Sequence, residues 1–380
     1  MTPKARLLAI FSGKPVDRIA VFTQIPFTLT ENGFHPGPFH GYSDYDDWRI
    51  QDPAYMKLVK RMKTECDNLF IWRPPCMQNS QFFLSPALTE ETELKGDDGK
   101  IYYKMQFTHE GQSFREITAK QPGAGHSWQI EHLCKTPEEA KALLSLPWTG
   151  NPAKTDDFFD LQSALGDRGL MWVTVPSPLQ VVCRLFDPNE FLMLTRLEPA
   201  LIDQLMETAA ERIYSNLQKL LELGVGPIIR FGGAEHATPP LMSPADFDWL
   251  VVRFDTPLIE LCKKYGKLVA YHCHGKITHA LHRFIEMGVD MIDPVETIPD
   301  GDMTLKEAKE IAGSAITLIG NIQMKDIANA TPKEIRQKVK LIIDTMGPDH
   351  LIISTTGTPL EKMDSRTENN YHALIDAVTN

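Results

Sequence analysis

The fold class this 380-residue sequence predicts is α/β, a (β/α)₈ TIM barrel with an antiparallel β-hairpin insertion, and three observations predict it. Eight short apolar runs of strand length recur along the chain, most joined by segments of helical period, as parallel strands with α crossovers require. Polar, ligand-type residues gather just past the C-terminal ends of those runs, the rim at which such barrels place their chemistry. Near 91–118 the period changes to two around turn residues, which marks antiparallel strands. The chain reads as one domain over 1–380.

Taken in order, Pro3 to Phe11 is an amphipathic helix ended by Ser12-Gly13, and Ile19 to Phe22 is the first strand. From Thr30 to Tyr45 the chain is polar and rich in Gly and Pro, with His35 and His40 inside it, and reads as a long surface loop. Helix Pro53 to Glu65 leads into strand Asn68 to Trp72, which ends at Arg73. The insertion alternates through Thr92 to Lys95, Ile101 to Thr108 and Ser113 to Thr118. Helices follow at Pro137 to Leu146 and Phe158 to Leu165. Strands at Met171 to Val175, Pro227 to Phe231, Leu268 to Tyr271, Val289 to Ile292, Ile316 to Ile319 and Leu351 to Ser354 then alternate with helices. Those helices run up to Glu222 and over Ala245 to Tyr265, Ile277 to Met287, Leu305 to Ile311 and Pro332 to Met346. Asp300-Gly301-Asp302 reads as a turn and helix cap.

With 42% hydrophobic residues the chain has material for a large core. A net charge of −11 leaves no basic footprint, so nucleic acid and anionic membrane are poor partners, and a small neutral or weakly charged substrate fits better. The six cysteines, Cys66, Cys76, Cys134, Cys183, Cys262 and Cys273, include no CxxC pair and no disulfide-framework spacing, which suits a reducing cytoplasm. No apolar run reaches bilayer length and the N-terminus has no apolar targeting core. A soluble, cytoplasmic protein is expected, with the oligomeric state open and a homodimer included.

The stretch Lys267 to Asp302 concentrates the chemistry. A short strand empties into His272-Cys273-His274-Gly275, and the next strand delivers Asp293 and Glu296 the same way. In a continuing strand His272 and His274 share a side while Cys273 faces the other, as a small buried residue would. Two imidazoles on one side suit Zn²⁺, although such a pair is also compatible with a satisfied polar contact. Glu235, after Gly232-Gly233 one strand earlier, is the third candidate metal ligand and a candidate catalytic carboxylate, or else a helix cap or a partner of Arg230. Glu296 is catalytic or a loop cap. Asn321 and Gln323, past the seventh strand, hydrogen-bond a substrate or simply form the turn. Arg73, Trp72 and Tyr271 complete the candidate substrate-binding set, Trp72 being alternatively core.

Several longer segments carry a resemblance. GKPVDRIAVF, PSPLQVVCRLFD, LMSPADFDWLV, YHCHGKI, GVDMIDPVETIPDGDMTLKEAKE and ITLIGNIQ together resemble the uroporphyrinogen decarboxylase superfamily, from Gly13 to Pro359. The resemblance implies a (β/α)₈ barrel. It also implies one of two activities, decarboxylation of porphyrinogens or zinc-dependent methyl transfer with a corrinoid protein. The decarboxylases carry an arginine-rich motif after the first strand, an Asp after the second and a His after the last, where this chain has FTQIPFTLTENGF, Arg73 and Thr355-Thr356. The methyltransferases carry His-x-Cys and a final Cys, where this chain has His272-x-His274 and Thr355 or Thr356. Zinc on Glu235, His272 and His274 would be more Lewis-acidic than zinc on thiolates, and would suit an ether or phenol oxygen. The insertion and SWQIEHLCKTPEEAKAL resemble members that demethylate methoxylated aromatic compounds. The expectation is therefore methyl transfer from an aryl methyl ether to cob(I)alamin on a separate corrinoid protein. Alternatives are a lyase acting on a small aromatic acid, with Arg73 binding its carboxylate, a coenzyme M type thiol methyltransferase, and a barrel kept as a binding or regulatory subunit.

Overall fold

The computed structural model describes residues 1–30, 33–37, 48–78, 82–85, 89–109, 111–122 and 127–380. Fourteen strands are seen among them: β1 Ala20–Phe22, β2 Phe27–Thr30, β3 Gly33–Pro36, β4 Asn68–Trp72, β5 Glu90–Lys95, β6 Ile101–His109, β7 Gln112–Lys120, β8 Ser127–Glu131, β9 Gly169–Pro176, β10 Ile228–Gly232, β11 Leu268–His272, β12 Met291–Asp293, β13 Thr317–Ile322 and β14 Leu351–Thr355. Eight of them form one all-parallel sheet in the order β1-β14-β13-β12-β11-β10-β9-β4, wrapped by helices as a (β/α)₈ barrel. The two end strands of that order meet at Asp67. Its backbone N–H donates to the Val21 carbonyl at 2.8 Å, and its carboxylate accepts from Val21 N–H at 3.0 Å. Fully buried, Asp67 is paired with Arg6 and Arg18.

Side-chain alternation divides the core in two. Inward positions Ala20, Phe22, Leu69, Ile71, Leu170, Trp172, Ile228, Ala270, Met291, Ile319 and Ile352 fill the lower barrel, and Leu7 and Ile10 of helix Pro3–Phe11 plug it from below. Outward positions such as Val173, Ile229, Phe231, Val269 and Tyr271 join the larger core between sheet and helices. Helix starts follow a repeated local device, a capping side chain followed by proline: Asp52-Pro53, Thr136-Pro137, Ser177-Pro178, Asp187-Pro188, Ser243-Pro244 and Thr331-Pro332. The cap oxygen satisfies an early N–H that no carbonyl reaches, and the proline has no N–H to satisfy.

The insertion is larger than expected. It has four antiparallel strands, β5 to β8 over 90–131, against the three read near 91–118. The fourth, β8, alternates Trp128 and Ile130 with Gln129 and Glu131, but with the apolar pair on the exposed side. Stacked Phe107 and Phe114 anchor the sheet's inner face, and Gln129 Nε2 donates to the Arg184 carbonyl at 3.0 Å. Of the expected loop over 30–45, the described part holds the small hairpin β2-β3 with His35. His40 lies outside the described residues, as does Glu110 of the β6-β7 turn. The helices expected over 245–265 are Pro244–Phe247 and Arg253–Lys264, joined by a π turn, Asp248–Val252, shortly before Pro257, which has no N–H to offer the preceding turn. Asp302 caps the helix at Thr278, its Oδ1 accepting from Thr278 N–H at 3.1 Å, while Thr304 caps the helix Leu305–Ala312. A last helix, Ser365–Thr379, packs beside Pro332–Met346 and was not anticipated. No helix among the described residues is long and apolar enough to cross a membrane.

Candidate active site at the barrel rim

Two residues above the apolar layer, the inward positions turn polar. Ile228 is followed by Arg230, Ala270 by His272, Met291 by Asp293, Ile319 by Asn321, and Ile352 by Ser354. Strand register sets Arg230 level with Ala270, and His272 level with both Gly232 and Asp293. Ala270 is small and Gly232 has no side chain. The Arg230 side chain therefore crosses in front of β11 and reaches Asp293 two strands away, with Nε to Oδ1 at 3.2 Å and Nη2 to Oδ2 at 3.1 Å. Its guanidinium also lies 4.8 Å over the Trp172 ring. Oδ2 of Asp293 meets His272 Nδ1 at 2.9 Å. Burial pushes the Asp293 carboxyl up, but the charges and hydrogen bonds of Arg230 and His272 together outweigh it and hold Asp293 far below the usual carboxylate range. For His272, burial and the Arg230 charge together outweigh Asp293 and pull the imidazole below its ordinary value. A neutral His272 follows.

His274 behaves oppositely. Its ring lies 4.7 Å from the His272 ring, nearly perpendicular to it, and its Nδ1 is 3.4 Å from Glu296 Oε2. Burial pulls its pKa down, yet the hydrogen bond and charge of Glu296, backed by Glu235 and Asp293, raise it above the ordinary value. Glu296 is anchored by Gly275, whose N–H donates to Oε2 at 2.7 Å. Burial raises the Glu296 pKa, while His274, the Gly275 N–H and Gln323 more than offset it, so it stays below the usual range. Gly301 makes this loop possible, since a Cβ there would stand 2.0 Å from the Glu296 carbonyl oxygen. Glu235 lies in the short turn Ala234–Ala237 and accepts from Gly233 N–H at 3.2 Å. Asn321 Nδ2 donates to Thr297 Oγ1 at 3.2 Å, and Gln323 Oε1 accepts from Thr356 Oγ1 at 3.1 Å. The Arg230 and Asp293 charges offset one another, and Glu296 beside Nδ1 favours the protonated form of His274.

Residues 160–380 match the family model described as uroporphyrinogen decarboxylase (URO-D). The chain belongs to the uroporphyrinogen decarboxylase family. No curated protein matches it. Among solved structures, a methyltransferase from Methanosarcina mazei is 16% identical, with 99% of this chain and 98% of that one covered at a TM-score of 0.61, which is a likeness of fold. A B12-independent methionine synthase from Shewanella sp. W3-18-1, in complex with selenomethionine, is 11% identical over 95% of this chain and 96% of its own at a TM-score of 0.44.

On this uroporphyrinogen decarboxylase family barrel, the structure brings some of the expected residues together and separates others. His272, His274 and Glu296 share the rim, with Asn321 and Gln323 beside them. Tyr271 does not reach it. As the outward neighbour of His272 it is fully buried, stacked on Phe284, with its hydroxyl donating to Asp255 of the outer helix. Trp72 is outward for the same reason of alternation, packed on Phe158 with Nε1 donating to Asp157 at 3.2 Å. Arg73 leaves β4 half-buried, three strands from β11 in the sheet order. Cys273 is fully buried in the outer core, and burial raises its thiol pKa well above normal, so it offers no thiolate.

A zinc ion, as the resemblance to the methyltransferase branch implies, would meet two fitting residues here. Each histidine engages a carboxylate through Nδ1, the arrangement that orients metal-bound imidazoles, and among the described residues neither Nε2 takes a protein hydrogen bond. A third ligand is not in place. Among the described residues no three His, Cys, Asp or Glu side chains gather as an ion-holding group, and Glu235 turns back onto Gly233 instead. These residues do not form a three-ligand site among the described residues. Arg230 and Asp293 are the members of the site that the sequence reading did not select.

Proposed function

We propose that this chain is a methyltransferase that takes the methyl group of a methoxylated aromatic compound and passes it to cob(I)alamin on a separate corrinoid protein. The observation that carries the reading is the pair of rim histidines, each engaging a carboxylate through Nδ1, with His272 shifted toward the neutral form and His274 toward the protonated one. The likeness to a structure named a methyltransferase supports it, as does the lack of the arginine-rich motif that would grip the acid groups of a porphyrinogen.

When bound, the corrinoid supplies the nucleophile that accepts the methyl group. The electrons of the broken C–O bond stay on the aryl oxygen, and His274 Nε2–H gives that oxygen a proton, so that a neutral phenol departs. Glu296 holds the imidazolium at Nδ1 and directs the Nε2 proton outward; general acid help of this kind is worth about 10²–10⁴-fold. His272 Nε2 accepts from a hydroxyl next to the methoxy group, and Asn321 and Gln323 border the ring's polar edge. Incubating the purified protein with 2-methoxyphenol and a corrinoid protein in the Co(I) state tests this. Free catechol is expected to appear in step with the corrinoid's spectral change. Release of CO₂ from an aromatic acid without any corrinoid would replace the reading with that of a lyase.

A further inference from the structure

We propose that Asp293, itself held by Arg230, is a positioning residue that fixes His272 in the tautomer with its proton on Nδ1, leaving the Nε2 lone pair facing the rim. An ionised carboxylate can only accept hydrogen bonds. Asp293 has 0% exposure, and both its oxygens are taken by Arg230, at 3.2 and 3.1 Å. The 2.9 Å contact between Oδ2 and His272 Nδ1 is therefore donated by the imidazole. Among the described residues Asp293 is the hydrogen-bond partner seen at Nδ1, and the position level with His272 on β10, Gly232, has no side chain to offer another.

Arg230 keeps Asp293 from turning away. Its planar fork holds two oxygens while its face rests on Trp172, so the carboxylate has one orientation that satisfies both neighbours. Ala270 leaves the path across β11 open. The chain Arg230, Asp293, His272 thus carries a direction, from a donor that cannot lose its proton to an acceptor atom at the rim. For the rate of methyl transfer this inference rests on the proposed function; for the tautomer it stands without it.

The experiment is long-range ¹H–¹⁵N correlation spectroscopy of the full chain labelled at histidine, at about pH 8, above the ordinary histidine range, with His272 assigned from its loss in His272→Gln. The expected wild-type pattern has the proton on Nδ1. In Asp293→Asn, Arg230 can only donate and so takes the amide oxygen, which turns the amide N–H toward His272. Nδ1 must then accept, and the pattern is expected to invert to a proton on Nε2, with catechol formation falling about 10–100-fold. A wild-type spectrum with the proton on Nε2 overturns the proposal, whether or not the variant folds. An unchanged tautomer in folded Asp293→Asn overturns it too. Absent catechol formation in wild type with the expected spectrum would instead remove the methyl-transfer reading alone.

Discussion

His274 and Cys273 are adjacent in the chain and differ wholly in what a substitution does. His274 is half-open at the rim and carries the proton that the proposed reaction uses, so His274→Ala should lower catechol formation about 10²–10⁴-fold. Cys273→Ala removes a buried thiol, should cost on the order of 1 kcal/mol in urea titrations, and should leave the rate within about twofold. The acid form of His274 is the working one, so the rate should fall as pH rises through its elevated pKa. Glu296→Gln removes the partner that raises it, and the falling limb should move to lower pH. Asp255 supplies a second pH dependence, of stability. Burial raises its pKa to about 7, the hydroxyl of Tyr271 only partly opposing this. The folded state then keeps a proton that the unfolded chain releases near 4. Stability should therefore decline as pH rises from about 4 to about 7 and level off above. Asp255→Asn should flatten that decline, which is on the order of a few kcal/mol; denaturant titrations at several pH values measure it.

At the scale of elements, the turn after β10 depends on one glycine. Gly233 has a φ of +109°, and a Cβ there would lie 2.4 Å from the Cβ of Gln180. Gly233→Ala should cost about 1–3 kcal/mol and displace Glu235 with the turn, read as a lowered melting temperature and an altered pH profile. How much of the site could be read beforehand follows from the same local geometry. A histidine pair at a strand end and a carboxylate past the next strand are written in a few consecutive residues, so His272, His274 and Glu296 were legible. Tyr271 and Trp72 lie away from the rim, and alternation alone, applied outward from His272 and Ile71, sends both into the helix layer. Arg230 and Asp293 were not legible as partners. Their contact depends on the register of three strands and on Ala270 and Gly232 leaving space, which no local pattern states. The eight strands were legible because each carries its own apolar run; β8 alternates too, over only five residues, and turns its apolar Trp128 and Ile130 outward rather than into a core.

Across the whole molecule, closure of the barrel is concentrated at Asp67, which is buried with Arg6 and Arg18 and bonded to Val21. Asp67→Ala would strand two arginines beside the join, and removing one partner from a buried ion pair costs about 3–5 kcal/mol; a loss of that size in equilibrium unfolding is expected. The join also has a kinetic meaning. β11 and β12, which carry His272 and Asp293, stand in the middle of the strand order, as far around the ring as possible from where β1 and β4 meet. Strands at the join have a full ladder on one side only, so their amide protons should trade with solvent deuterium sooner than those of β10 and β11, which are laddered on both. The ring is thus built like a clasped bracelet, and the proton-handling groups are mounted opposite the clasp, where opening disturbs them least.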